Sequence, residues 1–241
     1  MRRALIFSGS FTLLAALTIW WLTPSPRELR YSAQHELYGF VDARTAQGLG
    51  TSGPVLTLLS QLAPAAQRAQ ARQQAAAPSA SREIALGCGF AQPRWEWRDG
   101  PAGDTDKVVR TLPTVALQQL SALTNGYLLL RSEQPATVAA DTRIRRWLGV
   151  GMSDSIGEAK ALTIAIGEDS LAGRAQVGLC LEFGRAEEAL AAVKRIETQS
   201  AGGVIQFAVN PQAENVARQH RLVVVRFEVG AAYLMLAAKP R

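Results

Sequence analysis

Histidine and cysteine are the residues this chain has least of, two of each in 241. His35 and His220 cannot fill a histidine-rich metal set, and no Cys-x-x-Cys or Cys/His spacing builds a zinc site. A His at a polar turn, as at 220, reads as a surface residue. Gly-x-Ser-x-Gly, His-Glu-x-x-His and the P-loop are all missing. Gly149-Val150-Gly151 near Ser153 and Asp154 is too short for a phosphate cradle. The acidic pairs Glu168-Asp169 and Glu187-Glu188 fall at a turn and a helix start, where solvation or the helix dipole accounts for them. No enzyme, cofactor, metal or small-molecule substrate is expected. Acidic residues are fewer than basic ones, giving a net charge of +6. The arginines are scattered apart from Arg143, Arg145 and Arg146 beside Trp147. A nucleic-acid surface needs a basic stripe interleaved with aromatics, so no nucleic-acid partner is expected. Cys88 and Cys180 permit one disulfide outside the cytoplasm, or stand as two separate buried thiols.

What the chain does have is an uncharged run over residues 4–22, preceded by Arg2 and Arg3 and followed by Thr23-Pro24-Ser25-Pro26. At about 1.5 Å per residue, a helix of that length crosses a hydrocarbon core of ~30 Å. Trp20 and Trp21 fall at its far end, where amphipathic rings favour the headgroup region. A cleaved signal peptide starts the same way, but the run exceeds a usual apolar region and no Ala-x-Ala site precedes Pro24. Arg27 and Arg30 balance the basic tail, and a long domain translocates largely regardless of its charge. The expectation is an uncleaved anchor with the bulk of the chain periplasmic.

Downstream, residues 27–44 read as a helix, with Leu29, Ala33, Leu37 and Phe40 three and four apart. Gly48, Gly50 and Gly53-Pro54 break it, and a second helical pattern carries Val55, Leu58, Leu59, Leu62, Ala66 and Ala69. Residues 83–90 and 94–98 read as strands, the second alternating Arg94, Trp95, Glu96, Trp97 and Arg98. Its two tryptophans are either a sugar or peptide platform or half-buried sheet residues. A helix at 113–123 precedes strands at 127–131 and 162–166, with a short helix near 141–148 in an otherwise loop-like stretch from 132 to 157. Residues 175–183 alternate as a half-buried strand. Helix 185–199 buries Ala186, Ala189, Leu190, Val193 and Ile196, and strands at 204–209 and 222–229 follow. Two helix–strand–strand units side by side make an α+β sandwich, a ferredoxin-like sheet with helices on one face.

At residues 176–229 the strand "AQVGLCLEFG", the helix "RAEEALAAVKRIETQ" and the strands "GGVIQFAV" and "RLVVVRFEV" carry a resemblance. The order resembles the periplasmic domain of the protein M family of bacterial type II secretion systems, and the related type IV pilus assembly protein O. The resemblance implies a cytoplasmic tail at 1–3, a transmembrane helix at 4–22, juxtamembrane amphipathic helices and a linker at 23–80, and a ferredoxin-like periplasmic domain at 111–241. A strand-rich insert at 81–110 and the break at Gly48 to Pro54 depart from the family pattern. It further implies a non-catalytic inner-membrane scaffold that forms a homodimer and pairs with a larger assembly-platform subunit. The apolar stripes then make Leu29, Leu37, Leu58 and Leu62 the interface candidates. A membrane-tethered module that binds glycan or peptide through Trp95 and Trp97 is the alternative, and a pilin-like subunit fits less well.

Overall fold

A computed structural model describes residues 28–32, 35–42, 52–76, 83–99, 107–111, 120, 127–169, 174–198, 212–216 and 221–238. The expected transmembrane helix at 4–22, most of the helix at 113–123 and the strand at 204–209 lie outside these residues. Among the described residues, no helix is long and apolar enough to cross a membrane.

The chain is a mixed α+β protein built on an antiparallel sheet. Its strands are β1 (Glu28–Ser32), β2 (Leu37–Asp42), β3 (Glu83–Gly89), β4 (Arg94–Asp99), β5 (Lys107–Thr111), β6 (Leu128–Ser132), β7 (Ala161–Asp169), β8 (Arg174–Glu182), β9 (Gln212–Val216) and β10 (Leu222–Gly230). Eight of them form one sheet in the order β4-β3-β2-β6-β7-β8-β10-β9, and β1 pairs with β5 as a separate ribbon alongside β2 and β3. Among the described residues the helices are α1 (Ser52–Ser60), α2 (Arg68–Ala76), α3 (Pro135–Ala140), α4 (Thr142–Leu148), α5 (Val150–Glu158), α6 (Ala186–Thr198) and α7 (Ala231–Ala238).

Because alternate strand residues point to opposite faces, the sheet sorts its side chains into two layers. Val41, Leu86, Leu130, Leu162, Leu179 and Val225 lie on the face covered by helices, in one core with Leu59, Trp147, Ile156 and Ile196. Tyr38, Phe40, Leu129, Ala165, Cys180 and Val224 form a smaller cluster on the other face, with Leu120 against it. The middle of β8 is therefore buried on both faces, where its alternation predicts one buried face.

The largest departure from the sequence reading is the stretch at 27–44, which forms β1 and β2 instead of a helix. Leu37, Phe40 and Val41 satisfy a helical spacing, but Leu37, Gly39 and Val41 also alternate with Tyr38 and Phe40. Aromatic and β-branched residues fit a pleated surface better than a helix. At Gly39 a β-carbon would strike the Leu129 carbonyl on neighbouring β6, so the close approach of these strands requires glycine. The second helical pattern divides into α1, a short 3-10 turn at Ala65–Gln67 and α2, because Pro64 cannot continue a helix. The loop expected at 132–157 holds three short helices, α3 to α5. Asp141 caps α4 through its carboxylate, and Gly149, at φ 80° and ψ 172°, joins α4 to α5 in backbone space open to glycine. In α6 the buried positions are Ala189, Ala192 and Ile196, whereas Leu190, expected inside, is 57% exposed.

Of residues 81–110, β5 pairs with β1, and β3 and β4 belong to the eight-stranded sheet. β3 and β4 extend it from β2, while β6 to β10 continue it on the other side. Within that sheet, α3 to α5 are followed by β7 and β8, and α6 by β9 and β10, with the four strands in the spatial order β7-β8-β10-β9. The repeated unit thus begins at 135, and β9 falls in the polar segment 210–221, which reads as a connection in sequence.

Candidate functional site

The interface candidates lie mostly in the core. Leu37 and Leu62 are each 2% exposed, and Leu58 is buried beside Leu59 and Val55. Their spacing marks packing onto the sheet of this chain itself, so they are core residues and no docking stripe. Leu29 lies on β1, paired opposite Arg110 on β5.

The cysteines cannot bond to each other. Cys88 is on β3 and Cys180 on β8, four strand positions apart, or about 19 Å at ordinary strand spacing, against the roughly 7 Å limit for a disulfide. They also face opposite layers. Burial pushes the Cys180 thiol up to about 12 and raises that of Cys88 further, which keeps both as unreactive thiols.

Trp95 and Trp97 stack on the helix-covered side of β4, with ring centroids 6.1 Å apart and planes 14° from parallel. Both are half-buried against the core, and the Trp95 indole N–H donates to the Gln74 side chain of α2 at 3.2 Å. A roofed pair of this kind is a sheet element and weighs against an open sugar platform. His35 is buried. It lies over Gly87, where a β-carbon would meet its ring at 2.5 Å, and its Nδ1 is 3.5 Å from Glu96. His220 lies outside the described residues.

Sequence reasoning passed over two features. Gly48, Gly50 and Gly53, read in the sequence only as a helix break, have the spacing Gly-x-Gly-x-x-Gly after β2, with Gly53 inside α1. A dinucleotide fingerprint needs a parallel strand after the helix, and β3 pairs antiparallel with β2, so the topology excludes that reading. The second feature is a buried polar cluster. The Arg131 guanidinium donates to Glu133 at 2.9 Å, to the Thr163 hydroxyl at 2.8 Å, and to Glu182. The register of β6, β7 and β8 brings these residues to one face, and the signal in the sequence is an arginine closing the apolar run Leu128 to Leu130. Burial works against the Arg131 charge, and the bonds and charges of Glu182 and Glu133 outweigh it, raising its proton affinity.

The arginines at 143–146 are engaged within the chain. Arg143 forms a two-point bond with Asp141 and donates to the Gln61 carbonyl at 2.6 Å, tying α4 to the turn after α1. Arg145 pairs with Asp154 at 3.0 Å and Arg195 with Glu158 at 2.9 Å, flanking a cleft of ≈ 470 Å³ floored by Ala136, Ala139 and Gly157. Opposite charges pair around this cleft, which the buried Ser153 also lines. Among the described residues, no three His, Cys, Asp or Glu side chains come together as a metal site.

Asp141 carries a pH dependence. Burial alone would raise its carboxyl, but the Arg143 bonds and charge, with the Arg143 and Ile144 amides, outweigh it and hold the group below its ordinary value. The folded value lies below the unfolded one, so its stabilisation is complete above about pH 4 and is lost as pH falls through the depressed folded value. Asp141→Asn is expected to lower stability near neutral pH by about 1–2 kcal/mol and to flatten the acid limb of the stability profile. Urea denaturation at about pH 7 and about pH 3 checks this. An acid limb as steep as in the native chain would remove Asp141 as its source.

Comparison with family models, with curated proteins and with solved structures finds no match for this chain.

Proposed function

We propose that this chain is a non-catalytic, membrane-anchored docking subunit of an inner-membrane assembly platform of the type II secretion or type IV pilus kind, with its bulk in the periplasm. The observation that supports this reading is the doubled helix–strand–strand unit between 135 and 230. Its strand order β7-β8-β10-β9 is that of a ferredoxin-like sandwich with permuted connectivity, with the helices of both units on one face. The uncharged run at 4–22, with its basic start and terminal tryptophan pair, supports the anchor.

In this reading the protein works by position. The anchor sets the distance of the sheet from the bilayer, and a larger platform subunit docks on the folded unit. The four strands β4, β3, β2 and β6 widen the sheet beyond the doubled unit, so the docking geometry differs from a four-stranded module. The test is membrane fractionation of the full chain, with protease applied from the periplasmic side. An integral protein digested from outside is the expected result.

A further inference from the structure

We propose that the cleft among α3, α5 and α6 binds a small zwitterion, an amino acid or a dipeptide, whose carboxylate accepts from Ser153 and Arg195 and whose ammonium meets Glu158. The inference goes beyond the scaffold reading, because it rests on the floor and walls of one cleft and holds whether or not the chain is anchored.

The cleft exists because small residues face each other where two helices meet. Ala136 and Ala139 of α3 lie against Gly157 of α5, and the space left open measures ≈ 470 Å³. That volume falls within the range of small-molecule sites. Among the described residues that line it there is no aromatic ring, so a sugar face has nothing to stack on.

Two polar groups of the lining, the Ser153 hydroxyl and the Arg195 Nη1, are buried without a hydrogen-bond partner among the described residues. A helical serine ordinarily donates to the carbonyl four residues back, as Ser155 does to Gly151 at 2.8 Å. Ser153, 0% exposed, makes no such bond. The Arg195 Nη1 comes within 2.9 Å of Glu158, but the contact lacks the angle of a hydrogen bond. Buried polar groups are nearly always hydrogen-bonded, so two unpartnered donors in one cleft point to a ligand that accepts from both. A carboxylate has an oxygen for each.

An anion alone does not suit the site. Taking Arg195 deprives Glu158 of its cation, and Asp154 stands one helical turn away on the same face of α5. The anion would therefore enter beside two carboxylates. A cation alone fails in the opposite sense, because it separates Arg195 from Glu158 and leaves Ser153 without an acceptor. A ligand with both charges replaces both partners of the ion pair it parts. Glu158, 49% exposed, is placed to receive the ammonium, while Arg145 and Asp154 stay paired at 3.0 Å and add no net charge.

Isothermal titration of the full chain with L-alanine and with L-alanyl-L-alanine tests this, and the comparison shows which length fits. At least one is expected to bind saturably with a Kd below about 1 mM. Propionate and ethylamine, which each carry a single charge, should bind at least about 10-fold more weakly. Ser153→Ala is expected to weaken zwitterion binding at least about 10-fold, yet without ligand to melt at the native temperature or above, because it removes a buried hydroxyl that has no partner. Gly157→Ala is the second variant. Its β-carbon would lie 3.5 Å from that of Ala139, an ordinary contact, so the helix keeps its shape while the floor of the cleft rises and binding weakens at least about 3-fold. No saturable binding of either zwitterion up to about 10 mM, equal binding of propionate or ethylamine, or native affinity in both variants overturns the proposal.

Discussion

Leu62→Asp is expected to unfold this chain rather than detach a partner from it. Leu62 is 2% exposed and packs in the same core as Val55, Leu58 and Leu59 beneath the sheet. Truncating such a residue to alanine costs roughly 2–5 kcal/mol through lost transfer energy and the cavity left behind. A carboxylate adds the cost of desolvating a charge with no partner, so the total reaches the ~5–15 kcal/mol by which a typical domain is stable. Circular dichroism and a thermal melt of the purified variant should show a lost or strongly lowered transition. Leu58→Ala, on α1 just ahead of Leu62, should fold but melt several degrees lower. A native-like melt for Leu62→Asp would return the residue to the surface.

Arg131→Ala is the second large expected effect. Its side chain is 6% exposed, and it holds Glu182, Glu133 and Thr163. Removing it leaves two carboxylates facing each other without a cation and deprives the Thr163 hydroxyl of its donor. Breaking a fully buried pair costs roughly 3–5 kcal/mol, but Glu182 and Glu133 are 26% and 31% exposed and can turn toward water. The expected loss is therefore about 2–4 kcal/mol. Pairing Arg131→Met with Glu182→Leu should recover much of it, because apolar residues of similar volume replace an ion pair at little net cost. Denaturant titration of the single and double variants gives the coupling. Purely additive losses would show that the two side chains do not act as a pair.

Elements with one unambiguous period were readable in the sequence. In β8 apolar and small or polar residues alternate without interruption, and α6 opens on Glu187 and Glu188 and closes on Arg195, as the helix dipole favours. The strands β3, β4, β6, β7 and β10 were readable for the same reason. The stretch at 37–42 fits two periods at once, and its tertiary pairing between β3 and β6 decided for strand. The three helices from 135 to 158 are each too short for a full apolar stripe, and Gly149 and Asp141 interrupt the pattern between them. The width of the sheet was not readable, since the junction of β2 with β6 pairs residues 87 to 93 positions apart, such as Val41 with Leu128 and Tyr38 with Arg131, and leaves no local signal. The same limit hid the Arg131 cluster, whose members come from three strands. It also hid the distance between Cys88 and Cys180.

Fractionation of the full chain tests the central claim, an anchored docking subunit, most directly. The account predicts that the full chain stays with the membrane through an alkaline wash, that protease added from the periplasmic side removes the folded sheet, and that a variant lacking residues 1–22 folds yet fails to replace the full chain in secretion or pilus assembly. Release by the alkaline wash, or restored assembly by an exported soluble form, would contradict it.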